Sequence, residues 1–361
     1  MFVDRARRAP QDWQAVIAYL ENTGLHVDRH AEIRQFAAGS ANLNYQLTLV
    51  GGRKVVLRRP PDGPLPPGAH DVAREYKIYS RLGRRLPQVP LGLAFCDDSS
   101  VIGVPFIVFE FREGLSIGRE LPRQLAPIAE IGDKLSRLIV ESLAELHKVD
   151  PKEVDLLDLG KGEGFIARQV RGWHQRARMV LTDDAMLKVA RLHDWLASNV
   201  PARQPIALVH HDYKLDNMLI DPDTLRINGV IDWEMATIGN PVFDLALTLT
   251  CWGGQHEAHP YAGVCRMPCE APGWWTWRKV LETYLERSGL DLIEDELKFY
   301  WMLALLRTVV VYAQLQVLYA RETGMQDKLT PGFCIPADKL PSVVRSVLDH
   351  AVDLVGTKLD W

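Results

Sequence analysis

The segment His210-His211-Asp212-Tyr213-Lys214-Leu215-Asp216-Asn217 has the form H-x-D-x-x-x-x-N, and the apolar run Gly229-Val230-Ile231 ends shortly afterwards in Asp232-Trp233-Glu234. Together these supply a carboxylate for a substrate hydroxyl, a cation for a phosphate, and an amide plus a second carboxylate for Mg²⁺. Phosphoryl transfer from ATP requires that set.

Asp212 is the candidate base, because a hydroxyl is a poor nucleophile until a carboxylate orients it and accepts its proton. An HxD pair alone also suits a surface turn or a metal site; Asn217, five positions on, shifts the balance, since its amide oxygen suits a hard cation. Lys214 is placed to meet the phosphoryl group, the bland alternative being a solvated loop lysine. Asp216 is expected to cap or hydrogen-bond locally. Asp232 ends an apolar strand, where a carboxylate is costly unless it meets a cation, and Mg²⁺ is the natural one. Glu234 stays open between metal contact, substrate contact and polar surface. Asp244 is expected to brace the loop, with a helix N-cap as its simpler role.

The elements that must position these residues divide the chain. A helix is expected over Asp12 to Glu21, then strands over Ile33 to Ala38, Asn44 to Val50 and Lys54 to Arg59, the last two joined by a Gly51-Gly52 turn. Residues 60–68 read as a Pro/Gly-rich loop, Asp71 to Gly83 as a helix, the region of Pro87 and Pro90 as a second loop, and Val101 to Phe111 as one or two strands. Helical patterns dominate from about Asp133, interrupted by short strands at Ile206 to Val209, Leu219-Ile220 and Ile227 to Ile231. The expectation is an α+β, two-lobed fold with the chemistry in the cleft. Residues 1–112 form a small, mainly antiparallel nucleotide-binding lobe, and residues 113–361 a larger helical lobe with the acceptor site.

The donor side belongs to the first lobe. Gly39, Ser40 and Asn42 link the first two strands, where backbone and side-chain donors could cradle a phosphate; a plain hairpin turn fits a single glycine as well. Val56 and Arg58 share one strand face, so Val56 could cover an adenine while Arg58 reaches the phosphates. Glu75 is the partner that would position Arg58, against the alternative of two unrelated surface charges. Glu110, Phe111 and Arg112 would form the hinge whose backbone meets the adenine edge.

Here the residues match a known family. The chain resembles the aminoglycoside phosphotransferase-like group of the protein-kinase-like superfamily, from about Ile33 to about Ala320. The resemblance implies a bilobal kinase-like fold, ATP (in some members GTP), Mg²⁺, and transfer to a small-molecule hydroxyl. Val56-Leu57-Arg58-Arg59-Pro60-Pro61, Ala69-His70-Asp71, Arg74-Glu75-Tyr76, Asp212 to Asn217 and Asp232 to Pro241 are similar to kinase domains associated with acyl-CoA dehydrogenases. That branch implies hydroxy acids or hydroxyacyl-CoA thioesters as acceptors, with stand-alone bacterial kinases of 4-hydroxyacyl-CoA as the sharpest analogy. The departures are Arg58 where many kinases carry Lys, a sparse glycine loop, and His211 where the family usually has Gly. Arg keeps the charge in a planar fork and cannot deprotonate.

Rival readings are a kinase of aminoglycosides or other small alcohols, a nucleotide-binding pseudokinase or scaffold, and a phosphohydrolase. Retention of Asp212, Asn217 and Asp232 opposes the pseudokinase, and the lack of a nucleophilic DxD at a strand end opposes the phosphohydrolase. Cys251, His256, His259, Cys265 and Cys269 suggest zinc, but at no recognised spacing. Trp252, Tyr261, Trp274, Trp275 and Trp277 could instead wall an acceptor site or simply pack the helical lobe.

A net charge of −4 over 361 residues gives no basic field for nucleic acid. Met1 to Pro10 carries three arginines with no apolar run behind them for a signal peptide. Phe299 to Ala320 contains Arg307, Gln314 and Gln316, so a buried helix is expected rather than a membrane span. Five cysteines, an odd number, fit a reducing compartment, and a cytoplasmic location is expected.

Overall fold

The computed structural model describes residues 2–4, 7–37, 42–61, 71–253, 266–321, 335 and 338–357. Helix α1 (Trp13–Asn22) is capped by Asp12, whose carboxylate accepts the Ala15 N–H. The strands β1 (Arg34–Gln35), β2 (Leu43–Thr48) and β3 (Lys54–Arg59) follow. Gly51 and Gly52, both at positive φ, make the β2–β3 turn that an L side chain would strain. Then come α2 (Val72–Leu82), β4 (Gly92–Cys96), α3 (Ser99–Ile102) and β5 (Phe106–Glu110).

The sheet order is β1-β2-β3-β5-β4, with every neighbouring pair antiparallel. The loop at Pro87 and Pro90 is found and leads into β4. One expectation changes here: Val101-Ile102 close a helical turn instead of opening a strand. Asp98 accepts the Ser100 N–H to start that turn, and Gly103 at φ +83° ends it, so local capping outweighs the β-branched composition.

Side chains alternate across β3. Val55 and Leu57 pack with Val16 and Leu20 of α1 on one face. Val56 faces the other way, into a core that runs on through Tyr79, Phe109 and the helices beyond.

After β5 the chain is helical: α4 (Ile131–His147), α5 (Phe165–Ala177) and α6 (Asp183–Ser198). Two small antiparallel ladders interrupt it. One pairs β6 (Ala207–Val209) with β9 (Thr237–Gly239), and the other pairs β7 (Met218–Ile220) with β8 (Ile227–Val230). The chain ends in α7 (Pro241–Trp252), α8 (Trp277–Ser288), α9 (Glu294–Arg321) and α10 (Leu340–Asp353). Helix α9 contains a stretch, Asp295–Leu318, long and apolar enough to cross a membrane by length and composition. Here it packs against α5, α6, α7 and α10, and every residue from Phe299 to Leu306 is buried.

Backbone and side chains both join the sheet to the helical part. Gly114 lies so close to Leu219 and Ile220 that a Cβ there would meet backbone at 2.7–2.8 Å, and Leu115 then pairs with Ile220 on β7. On α2, Arg74 donates to the carbonyls of Ala236 and Leu159. The sheet is thereby held against the segments that carry the H-x-D motif and Asp232.

Candidate active site

The His210–Asn217 loop leaves β6 and enters β7, so each end is pinned by one ladder. Tyr213 and Leu215 are buried and anchor it from below, and the Tyr213 carbonyl accepts the Thr248 hydroxyl of α7 at 3.0 Å. Asp244 clamps its start: one carboxylate oxygen accepts His210 N–H at 2.7 Å and the other His211 N–H at 2.8 Å. His147 Nε2 sits 3.1 Å from the same carboxylate, and Tyr284 Oη lies 2.5 Å from His147 Nδ1. Burial pushes the Asp244 carboxyl up, but the His147 hydrogen bond and the surrounding imidazoles outweigh it and hold it at about 2. Asp244 therefore braces the loop, and the N-cap of α7 is Asn240.

His210 is buried within the loop. Its Nδ1 accepts Asp212 N–H at 3.3 Å, which leaves Nε2 to donate to the Ile231 carbonyl at 3.1 Å. His211 adopts φ +65°, and its carbonyl accepts Arg307 Nη1 at 2.9 Å. The His211 ring packs on Phe165 and Phe243. Burial, its largest influence, lowers the imidazole to about 3, so it is neutral at physiological pH.

Asp212 Oδ2 receives Lys214 Nζ at 2.5 Å and Asn217 Nδ2 at 2.9 Å. Burial alone raises this carboxyl; Lys214 and then Arg266 overcome it and hold it well below the usual carboxylate range. Asp216 is more than a local cap. It pairs with Arg266 at 3.0 Å and lies 3.7 Å from Lys214. Arg266, 50 positions away, has no spacing signal that would have announced it.

Asn217 and Asp232 are brought together by backbone. Ile231 N–H donates to the Asn217 carbonyl at 2.9 Å, one step beyond the Met218–Val230 ladder pair. Asp232 then takes the left-handed conformation, φ +68°, at which Asp is better tolerated than most side chains.

From the sheet comes Arg58, 7% exposed. Its Nε lies 2.9 Å from Glu75 Oε2 on α2, its Nη2 2.7 Å from Asp232 Oδ1, and its Nη2 3.7 Å from Glu234 Oε2. Asn42 Nδ2 reaches Glu234 Oε2 at 3.4 Å. Val56 is two positions before Arg58 on the same face and pairs with Phe109. Gly39 and Ser40 lie outside the described residues.

The hinge residues stand apart from this convergence. Glu110 N–H donates to Leu91 O, Phe111 N–H donates to Lys54 O, and the Glu110 carboxylate is paired with Arg53 and Arg112. Their side chains serve the sheet.

The donor set fits Mg²⁺ by chemistry. Asp232, Glu234 and Asn217 offer oxygen, and three acids crowd one guanidinium. Burial raises Glu75 to about 7; Arg58 opposes this, while Asp232 and Glu234 add to it. Glu234 is raised in the same way, by burial and then Asp232. A divalent cation would neutralise that excess charge. Among the described residues no group of three or more His, Cys, Asp or Glu could hold a metal alone.

Trp252, the last residue of α7, and the tryptophans beyond it resolve differently. Trp252, Trp274 and Trp275 are buried, with the Trp252 and Trp274 rings 4.5 Å apart and Trp275 Nε1 donating to Asp133. They pack the helical core. His256, His259, Tyr261 and Cys265 lie outside the described residues.

Residues 32–282 match the phosphotransferase enzyme family. Acyl-CoA dehydrogenase family member 11 of Homo sapiens is 35% identical over 305 residues, 82% of this chain and 36% of that protein. Acyl-CoA dehydrogenase family member 10 of Mus musculus is 30% identical over 330 residues, 91% and 30% respectively. The chain thus spans about a third of the length of the curated relatives it matches. Among solved structures, a putative aminoglycoside phosphotransferase from Ralstonia eutropha JMP134 aligns over 97% of this chain and 100% of its own. Its TM-score is 0.77 at 22% identity, which bears on the protein-kinase-like fold.

Proposed function

The chain belongs to the phosphotransferase enzyme family, and on that premise we propose that it is an ATP- and Mg²⁺-dependent kinase of a small-molecule hydroxyl. The observation that carries this reading is the meeting of Arg58, from the sheet, with Asp232 at 2.7 Å, beside Asn217 and the Asp212–Lys214 pair. Residues 1–112 serve as the nucleotide lobe and residues 113–361 as the acceptor lobe.

In this reading Asp212 orients the acceptor hydroxyl and receives its proton. Its depressed pKa makes it a weak base, which suits a loose transition state in which the proton leaves late. Lys214, now bonded to Asp212, turns its charge to the phosphoryl oxygens. Arg58, oriented by Glu75, meets the phosphates of the nucleotide, while Val56 and the backbone of Glu110, Phe111 and Arg112 flank its base, with Gly39, Ser40 and Asn42 over the phosphates. Asn217 and Asp232 hold Mg²⁺, which when bound neutralises charge on the phosphates. The names of the curated relatives tie them to acyl-CoA, and this supports a hydroxy acid or 4-hydroxyacyl-CoA as acceptor.

Labelled γ-phosphate followed into a panel of hydroxyacyl-CoA thioesters, hydroxy acids, aminoglycosides and sugars tests the reading. Asp212→Ala is expected to lower transfer by roughly 10²–10⁴-fold while leaving nucleotide binding nearly intact. Near-normal turnover in that variant removes Asp212 from its role, and nucleotide binding with no acceptor phosphorylated points to a pseudokinase.

A further inference from the structure

A cleft of about 360 Å³ opens beside the His210–Asn217 loop. It reaches that loop through His211, with Asp212 itself beyond its edge, so it offers room for the part of an acceptor remote from the reacting hydroxyl. Five cations line it: Arg74, Lys161, Arg168, Arg176 and Arg307, with no carboxylate among the lining residues.

Among the described residues none of the five forms an ion pair. Arg74 bonds only to the carbonyls of Ala236 and Leu159. Arg168 bonds only to the carbonyls of Glu163 and Lys161, and Arg307 to that of His211. Arg176 stands 4.5 Å from the centre of the Trp173 ring, and Arg307 stands 5.7 Å from the same centre. Two guanidiniums on one indole repel each other, a cost that Asp212 and Asp244 offset in part at Arg307 and that a bound anion would lower further. A second observation concerns a residue of the same lining: His211, 6% exposed, has an Nε2 with no hydrogen-bond partner among the described residues, and a buried polar atom left so is costly.

Resting on the kinase reading above, we propose that this cleft is an anion subsite: the acceptor carries a carboxylate or phosphate that Arg74, Arg176 and Arg307 receive, with Trp173 as its wall and His211 Nε2 as a hydrogen-bonding contact nearer the reacting hydroxyl. Phe165 and Met235 give the cleft apolar surface for a short carbon chain between the two ends. Polycationic acceptors are repelled from it. His211 positions and does not take the proton, because burial keeps its imidazole a very weak base.

Calorimetric titration of the full chain in the presence of Mg-ADP tests this. The probes are a hydroxyacyl-CoA thioester, the matching free hydroxy acid, the matching uncharged pantetheine thioester, and kanamycin. At least one anion is expected to bind tenfold or more tighter than the uncharged thioester and kanamycin. Arg176→Glu, an exposed change, is expected to weaken that anion at least tenfold, and Arg176→Lys to restore it to within threefold. Binding of the free acid assigns a carboxylate; binding of the CoA thioester alone assigns a phosphate. Failure of both anions to bind, equal binding of the uncharged thioester or kanamycin, or indifference to Arg176→Glu overturns the subsite. Phosphoryl transfer is read separately. An anion that binds and responds to Arg176 without becoming phosphorylated leaves the subsite standing and removes the kinase reading.

Discussion

Asp244 Oδ1 accepts the backbone N–H of His211 at 2.8 Å, so a side chain of α7 fixes the left-handed turn from which the H-x-D loop departs. The second oxygen does the same for His210. An amide can accept only one of these two N–H groups and turns a donor toward the other. Asp244→Asn is therefore expected to cost about 3 kcal/mol of stability and to lower kcat by roughly 10²-fold through misplacement of Asp212. Denaturant unfolding and steady-state kinetics on one preparation check both. The folded pKa near 2 lies below the unfolded 3.8, so Asp244 adds about 2 kcal/mol above pH 4 that fades as pH falls toward 2.

His211 dominates the acid side at higher pH. Its folded pKa, about 3, lies below the unfolded value of 6.5. The unfolded chain binds the extra proton between those values, so stability present above pH 6.5 is lost as pH falls toward 3, by up to about 5 kcal/mol. His211→Asn tolerates the positive φ and removes the titrating group. Urea unfolding at pH 7 and pH 4.5 should show a much smaller drop for that variant than for the parent; equal drops would take His211 out of the acid response.

Glu75 acts with the opposite sign. Its folded pKa, about 7, is raised from 4.5, so its contribution is fully present below pH 4.5 and lost as pH rises through 7. Glu75→Gln keeps the shape and is expected to be more stable than the parent at pH 8, by up to about 3 kcal/mol, with the gap closing in acid. The same change frees Arg58 from its aligning carboxylate, so nucleotide affinity should fall. A variant less stable than the parent at pH 8 would mean that the Arg58 pair outweighs the cost of burial.

Asp232→Asn retains a residue type suited to φ +68° and removes the charge. Its thermal midpoint is expected to stay close to that of the parent, while the Mg²⁺ dependence of nucleotide binding disappears. An unchanged Mg²⁺ titration would exclude Asp232 as a metal ligand.

Much of the fold is written in local signals. Asp12 and Asp71 stand at the helix starts where capping chemistry places them, Gly51-Gly52 makes its turn, and Lys54 to Arg59 alternates as β3 does. The H-x-D-x-x-x-x-N spacing was legible because one loop carries it within eight residues, and Asp232 because it ends an apolar strand 15 positions after Asn217. Long-range partners were not. Arg266 meets Asp216, and His147 and Tyr284 reach toward Asp244, only through packing of helices far apart in sequence. Arg307 did leave a trace: a guanidinium in the middle of an apolar helix needs a buried acceptor, and it found the His211 carbonyl. The tryptophans in and after α7 left two readings open because aromatic composition cannot distinguish a wall from a core; Trp252, Trp274 and Trp275 are core, and an indole lining the cleft is Trp173 on α5.

The ring of acids about Arg58 makes binding at this centre a matter of exchange. A nucleotide phosphate that engages Nη2 competes with Asp232 for it, and Asp232, once released, is the carboxylate a divalent cation needs. Each event removes a cost that the other would otherwise meet alone, so nucleotide and metal should raise one another's affinity by the same factor. The guanidinium thus serves as a reversible stopper on the metal site, lifted by the substrate that the metal accompanies.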